Sequence, residues 1–213
     1  MGMFTVVIEH LEPCINRWLL AEYSYVAKLF PGSLVITNVV SSRHREVLSR
    51  IAPVYSESAS QILRGKVVVL DPWASTGLTP ADLSDAEFVV IGGIMGDDPP
   101  KRRTETMISK RMPWALRRSL GPWQFTIAGA AYMLKMVSEG RELSTIRVKV
   151  GLEVELPFDR FTKLVVRLPY AFPMSNGQPV LPENYIRIVA EGLLLYEQRL
   201  LRGDEDVCYE GGG

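Results

Sequence analysis

The sequence predicts an α/β domain built on a mainly parallel sheet. Three observations carry this prediction. Short, near-continuous apolar runs (FTVVIE, SLVITNVV, KVVVL, FVVI) recur through the first half of the chain, and strands buried on both faces read this way. Segments with helical spacing of apolar residues separate several of these runs, the alternation expected of parallel strands joined by crossovers. The runs end in polar or glycine-rich residues, Glu9-His10, Asp71-Pro72 and Gly92–Asp97, and ligands of such sheets sit at the carboxyl ends of the strands.

Taken in order, Phe4–Glu9 is the first strand. Pro13 suits the opening turn of a helix, in which Ile15, Trp18, Leu19, Tyr23 and Val26 recur at helical spacing until Pro31-Gly32 stops it. Ser33–Val40 is the second strand, and Ser41-Ser42 caps a short helix to Arg50. A short helix is expected around Ser58–Leu63. Lys66–Leu70 is the third strand, and Thr79–Asp82 opens a brief helical turn. Phe88–Ile91 and Trp114–Leu120 are the fourth and fifth strands, and an Ala-rich amphipathic helix runs from Thr126 to a glycine stop at Gly140. After Gly140 the pattern changes. Ile146–Glu155 alternates like a two-sided strand, Lys163–Leu168 is another strand, Asn176-Gly177 marks a tight turn, and Pro182 opens a final helix to about Leu201. The expected organisation is a core over 1–140 and a β-rich and helical C-terminal appendage or lid over 141–213.

Composition narrows the function classes. The formal net charge is +0, which argues against a whole-molecule electrostatic grip on nucleic acid but leaves room for a local basic face. Two histidines, His10 and His44, make a histidine-rich metal site unexpected, and no metal is predicted. Cys14 and Cys208 lie near opposite ends without CxxC spacing. One disulfide fits them, but free thiols in a reducing compartment are the expectation. The opening MGMFTVVIEH lacks the basic start of a signal peptide, and no apolar run reaches membrane-spanning length. A cytoplasmic enzyme or binding domain with no membrane partner is therefore expected.

The chemistry concentrates between Phe88 and Thr126. Gly92 and Gly93 end a buried strand, where a ligand can pack directly on backbone and meet exposed amides; a tight turn with no ligand is the alternative. The run is neither GxGxxG nor a P-loop, and Pro99-Pro100 argue against a helix starting there, so a ligand held here need not carry phosphates. The second loop, Ser119–Phe125, leads into the Thr126 helix. Two glycine-bearing loops separated by a basic segment fit one adenine-sized ligand.

Several stretches together carry a family resemblance. They are IEHLE at Ile8–Glu12, Trp18 with Glu22-Tyr23, LDP at Leu70–Pro72, GGIMGDDPP at Gly92–Pro100, Arg103-Thr104, LGPWQF at Leu120–Phe125 and PVLPE at Pro179–Glu183. The chain resembles the SPOUT class of trefoil-knotted, S-adenosylmethionine-dependent methyltransferases. Within that class it resembles the branch that includes the eukaryotic enzyme acting on an arginine of a small-subunit ribosomal protein, a branch earlier labelled predicted RNA methyltransferases. The resemblance implies a C-terminal knot in the core, with the segment from about Ala115 through the Thr126–Glu139 helix threading the loop after the third strand. It implies S-adenosyl-L-methionine bent across Leu70, Asp71 and Pro72, across Gly92, Gly93, Ile94, Met95 and Gly96, and across Ser119, Leu120, Gly121, Gln124 and Phe125. Phe125 stands where relatives tend to carry methionine, and the basic segment differs from theirs in length and charge. Enzymes of this class usually dimerise around the knot, whereas the C-terminal region of this branch is compatible with a monomer.

Methyl transfer to a protein arginine needs carboxylates, because a free guanidinium has a pKa above about 12 and must be oriented and relieved of a proton. Glu9, Glu12 and Asp97 are the candidates, each weighed against a local structural role, and His10 is a fourth candidate as a base. Lys101, Arg102, Arg103, Lys110, Arg111, Arg117 and Arg118 form a basic run. It is either a solvated face or a docking surface for ribosomal RNA or an acidic protein partner, with Arg102, Arg103 and Arg111 as the substrate-binding candidates. Trp73, Trp114 and Trp123 fall near the loops, for stacking or for packing. Three functions follow in order: a protein arginine methyltransferase acting on a ribosomal protein, an RNA methyltransferase of the same fold, and a non-catalytic cofactor- or ribosome-binding module.

Overall fold

A computed structural model describes residues 4–96, 99–157, 160 and 163–192. Its central sheet contains β1 (Thr5–His10), β2 (Leu34–Thr37), β3 (Val67–Leu70), β4 (Phe88–Gly93) and β5 (Leu116–Arg118) in the order β2-β1-β4-β3-β5. Every neighbouring pair is parallel, as the continuous apolar runs predict. The sheet has both faces covered. Val6, Ile8, Val68, Val89 and Ile91 pack with α1 (Arg17–Leu29) and α5 (Ile127–Ser138). Val7, Val67, Val69 and Val90 face the opposite way, onto Ala59, Leu63, Ile108 and Met112. The alternation of these valines between two clusters is the period-2 geometry of a strand.

Element ends differ from the expectation where capping or pairing decides them. Helix α1 starts at Arg17 rather than near Pro13, because the Asn16 side chain accepts the Leu19 N–H at 2.8 Å and caps it. Strand β2 stops at Thr37, where Asn38 turns to a left-handed φ of 63°. Helices α2 (Ser42–Leu48) and α3 (Ala59–Ile62) begin after Ser41 and Ser58, whose side chains cap them. Strand β4 runs two residues further than expected, because Gly92 and Gly93 stay in register with Glu9 and His10. Strand β5 is shorter than Trp114–Leu120. Beyond it, Ser119 leaves the ladder to pair with Gly77 in the loop that follows β3. Between β4 and β5 lies the short helix α4 (Arg103–Met107). Cys14 is disulfide-bonded rather than the free thiol expected.

The C-terminal part forms an antiparallel sheet of β6 (Val148–Pro157), β7 (Lys163–Ser175) and β8 (Gln178–Pro179), with the tight turn at Asn176-Gly177 where it is predicted. Strand β7 is longer than Lys163–Leu168 and passes through Pro169. That proline is tolerated because the register shifts there: Leu168 faces Leu152 and Ala171 faces Val150, so Pro169 and Tyr170 stand opposite Gly151 in a bulge. Leu168, Tyr170 and Phe172 form a separate core with Tyr185, Val189 and Ala190, and Trp18 of α1 packs against it. Residues 185–192 are helical; the expected continuation of this helix to Leu201 lies outside the described residues. No described helix is long and apolar enough to cross a membrane.

Candidate active site

The carboxyl ends of β3, β4 and β5 bring three loops together around a cavity of about 220 Å³. Leu70, Asp71 and Pro72 supply one wall, Gly92, Ile94 and Gly96 a second, and Leu120, Gln124 and Phe125 a third. Ile127 and Ala130 of α5 complete the floor. Nine of the thirteen cofactor candidates thus meet at one place. The lining mixes aliphatic and aromatic side chains with backbone amides, which suits a flat apolar group with polar edges.

The other four candidates are adjacent but have different work. Gly93 faces away from the cavity: a Cβ there would collide with the Tyr23 hydroxyl and lie 2.8 Å from Ile8 Cγ2, so packing of α1 demands this glycine. Met95 offers its backbone instead of its side chain. Its N–H donates to Glu12 at 2.8 Å and its carbonyl accepts from Arg103. Ser119 is buried and its N–H donates to Thr76 O at 2.9 Å. Gly121 takes φ 111° at the turn beside Trp123.

Two loops are fixed from unexpected quarters. The Tyr170 hydroxyl, re-aimed by the β7 bulge, donates to Gly96 O at 2.8 Å, and Ala171 N–H donates to Gln124 O at 2.8 Å. A Cβ on Gly96 would collide with Gln124 Nε2 and sit 2.7 Å from Tyr170 Cε1, so only glycine permits this three-way approach. Behind the third loop, Thr126 caps α5 and Glu22 takes the Ala128 N–H at 2.5 Å. Tyr185 and Trp18 also donate to Glu22. Burial pushes the Glu22 carboxyl above its ordinary value, while these donors pull the other way. The acid at a helix N-terminus therefore joins α1, α5 and the C-terminal segment in one buried knot of hydrogen bonds. Neither Tyr170 nor Glu22 is singled out as a site residue by sequence; only the match of Glu22-Tyr23 to the family pattern points toward the latter.

None of the described acid–base candidates lines the cavity. Glu9 is 2% exposed, and its carboxylate accepts from Thr37 Oγ1 and Ser58 Oγ at 2.5 Å and from Ala59 N at 2.9 Å. It ties β1 to β2 and α3 and does not line the cavity. His10 is buried between Tyr23 Oη (3.0 Å from Nδ1) and His44 Nδ1 (3.2 Å from Nε2). Burial, reinforced by the neighbouring His44, lowers its pKa to about 4. Glu12 is half-buried and holds Met95 N–H and Arg103 Nη1, the latter at 3.0 Å. Asp97 lies outside the described residues.

Nor does the basic run form a uniform face. Arg103 is paired with Glu12, Arg117 with buried Asp71 at 2.8 Å, and Arg118 grips Asp82 through two bonds of 2.8 and 2.9 Å. Arg102 pairs with Glu105 at 2.7 Å. Four of the seven cations are thus paired with acids of the same chain, three of them tying separate segments together. Arg102 and Arg103 line the cavity, and Arg111 is exposed away from it. Trp73 and Trp123 sit at the cavity, while Trp114 does not line it. Among the described residues no cluster of acids, histidines and cysteines fits a metal ion.

Comparison with known proteins agrees with this architecture. The chain is 24% identical over 201 residues to protein arginine N-methyltransferase SFM1 of Saccharomyces cerevisiae, covering 86% of this chain and 92% of the relative. The crystal structure of the yeast arginine methyltransferase SFM1 complexed with SAM superposes with a TM-score of 0.76 at 22% identity, over 90% of this chain and 92% of that one. The dual-specific Trm10 of Thermococcus kodakaraensis gives a TM-score of 0.51 at 22% identity over 65% of this chain and 95% of its own. The family described as protein arginine N-methyltransferase SFM1-like matches residues 5–194, and with nearly the whole chain so matched, this protein belongs to the SFM1-like protein arginine N-methyltransferase family.

Proposed function

We propose that this chain transfers a methyl group from S-adenosylmethionine to a protein arginine, with a ribosomal protein as substrate. The observation that carries the reading is the convergence of the Leu70–Pro72, Gly92–Gly96 and Leu120–Phe125 loops on one cavity. The residues fit the cofactor. Leu70, Ile91, Leu120, Phe125 and Ile127 offer apolar contact to an adenine and a thioether chain, and Gly92 and Gly96 leave backbone within reach. Family membership and the yeast SFM1 complex with SAM point the same way. Bound there, the cofactor supplies an electrophilic methyl on a sulfonium. The loops contribute alignment, the main requirement of an in-line displacement, and a carboxylate is needed to take the guanidinium proton. Asp97 follows Gly96 in sequence and is the acid proposed for that step. The net charge of +0 and the internal pairing of four of the basic run's cations favour a protein over RNA.

The knot belongs to the same reading. After β5, Ser119 bonds to Thr76 and Leu78 in the loop following β3, and the chain then returns as α5 to pack on α1. This path supports threading of residues 115–139 through that loop. An experimental structure with the segment running outside the loop would overturn it. In this reading β7, through Tyr170 and Ala171, is a fixed brace on the cofactor loops rather than a moving lid.

The test is transfer of labelled methyl from S-adenosylmethionine into a ribosome preparation, followed by nuclease or protease and amino-acid analysis. Label recovered as methylarginine supports the proposal. Nuclease-sensitive label converts it to an RNA methyltransferase, and absence of cofactor binding by calorimetry sinks both readings.

A further inference from the structure

One rim of the cavity carries an internal contact with the chemistry of the proposed substrate. The Arg102 guanidinium lies over the Trp73 ring, 4.3 Å from its centroid, and its Nε is 2.7 Å from a Glu105 carboxylate oxygen. The other Glu105 oxygen is 3.8 Å from Arg117 Nη2, and Arg117 is anchored on buried Asp71. An indole face with a carboxylate at its edge is a general receptor for a planar guanidinium. The present occupant is held weakly. The Arg102 side chain is 51% exposed, and an exposed pair of this kind contributes little net stability. Its backbone also takes φ 55°, in the left-handed region that residues other than glycine, asparagine and aspartate avoid.

We propose that Trp73 and Glu105 are the receiving site for the guanidinium of the substrate arginine, and that Arg102 fills this site in the free enzyme as an internal competitor. The inference rests on the protein-arginine reading above. Exchange of one guanidinium for another keeps Glu105 paired throughout, so neither state leaves its partly buried carboxylate without a cation. The site also selects against lysine, which lacks the planar fork that lies flat on the indole while presenting N–H groups to an acid at its edge. Arg102 is thereby a specificity filter: only a side chain able to make the same stack and ion pair displaces it.

The test uses Arg102→Gly and Arg102→Asn, two residues that accept φ 55° and remove the competitor without straining the turn. Steady-state kinetics are measured on the full chain with an arginine-bearing protein substrate. The KM for that substrate is expected to fall about two- to five-fold in both variants, the equivalent of an exposed cation–π contact. Trp73→Leu is expected to raise the KM, and in its background Arg102→Gly is expected to give no further fall. The proposal is overturned if the Arg102 variants leave the KM unchanged or raise it, or if the fall persists without Trp73. It is also overturned if Trp73→Leu weakens only cofactor binding. If the unmodified chain methylates no arginine, the underlying reading fails and takes this inference with it. If it methylates arginine but the KM does not fall, the inference alone fails.

Discussion

At the scale of single residues, burial and pairing give Glu9 and Glu12 structural work, and Asp97 is the acid proposed for the chemistry. Glu9 satisfies three donors inside the sheet, and Glu12 holds the Met95 turn. Asp97→Asn is therefore expected to lower kcat by about two orders of magnitude with cofactor affinity retained. Glu9→Gln is expected to keep kcat and lose about 1–3 kcal/mol of stability, because its new amide hydrogens face donors. Methyl-transfer kinetics and thermal melts separate the two, and a D97N variant with full kcat would remove Asp97 from the reaction. His10 gives a pH signature. Its pKa is about 4 in the folded chain against 6.5 for an ordinary histidine, so below pH 6.5 the unfolded chain takes up a proton that the folded chain refuses. Stability is intact above 6.5 and falls as pH drops through 4, by roughly 3 kcal/mol at 1.36 kcal/mol per pKa unit. The drop in melting temperature between pH 7 and pH 4 is expected to be shallower in His10→Gln; equal slopes would show that the ring does not titrate this way. The loops were legible in the sequence as two glycine-bearing loops and an Asp71-Pro72 strand end. Which glycine faces the cavity was not: Gly92 and Gly93 are equivalent in local pattern, and the Tyr23 hydroxyl and Ile8 packed against Gly93 distinguish them.

At the scale of elements, four of the five strands of the central sheet could be read from the sequence because burial leaves a near-continuous apolar run; the edge strand β5, with the sequence LRR and partly exposed, has none. The brace supplied by β7 could not be read. Its effect depends on a bulge that aims Tyr170 at Gly96 and on a backbone bond from Ala171 to Gln124, and neither has a local signature. The prolines at 169 and 173 even argue for an earlier end to the strand. If β7 positions the cofactor loops, Tyr170→Phe removes one hydrogen bond to the Gly96 carbonyl and little packing. The expected result is about a two- to ten-fold rise in cofactor Kd, the equivalent of 0.5–1.5 kcal/mol, with a melting temperature lowered by a few degrees at most. Calorimetric titration with S-adenosylmethionine checks this. An unchanged Kd would reduce β7 to a cover that merely lies beside the site.

At the scale of the whole molecule, the distribution of apolar surface bears on whether the chain works alone. Helix α5 buries Ile127, Ala128, Ala131, Met133, Leu134 and Val137, and it does so against its own sheet, α1 and β7. No long apolar face of this helix is left for a second copy. Among the described residues the large apolar side chains that stay exposed fall in several places: Val40 beside Tyr55, Ile62 on α3, Val150 and Val165 on the C-terminal sheet, while Trp73 and Trp123 belong to the cavity. A stable dimer needs about 800 Å² of complementary surface on each partner, and among the described residues Trp114 and Leu116, two apart in sequence and both exposed, begin to offer such a surface. The chain is therefore expected to behave as a monomer, with a site completed by its own three loops and its own C-terminal brace. Light scattering coupled to size exclusion, over a hundredfold range of concentration, should give the mass of one chain throughout. A mass of two chains that persists on dilution would overturn this, and Trp114→Ser with Leu116→Ser would then show whether that exposed pair is the contact.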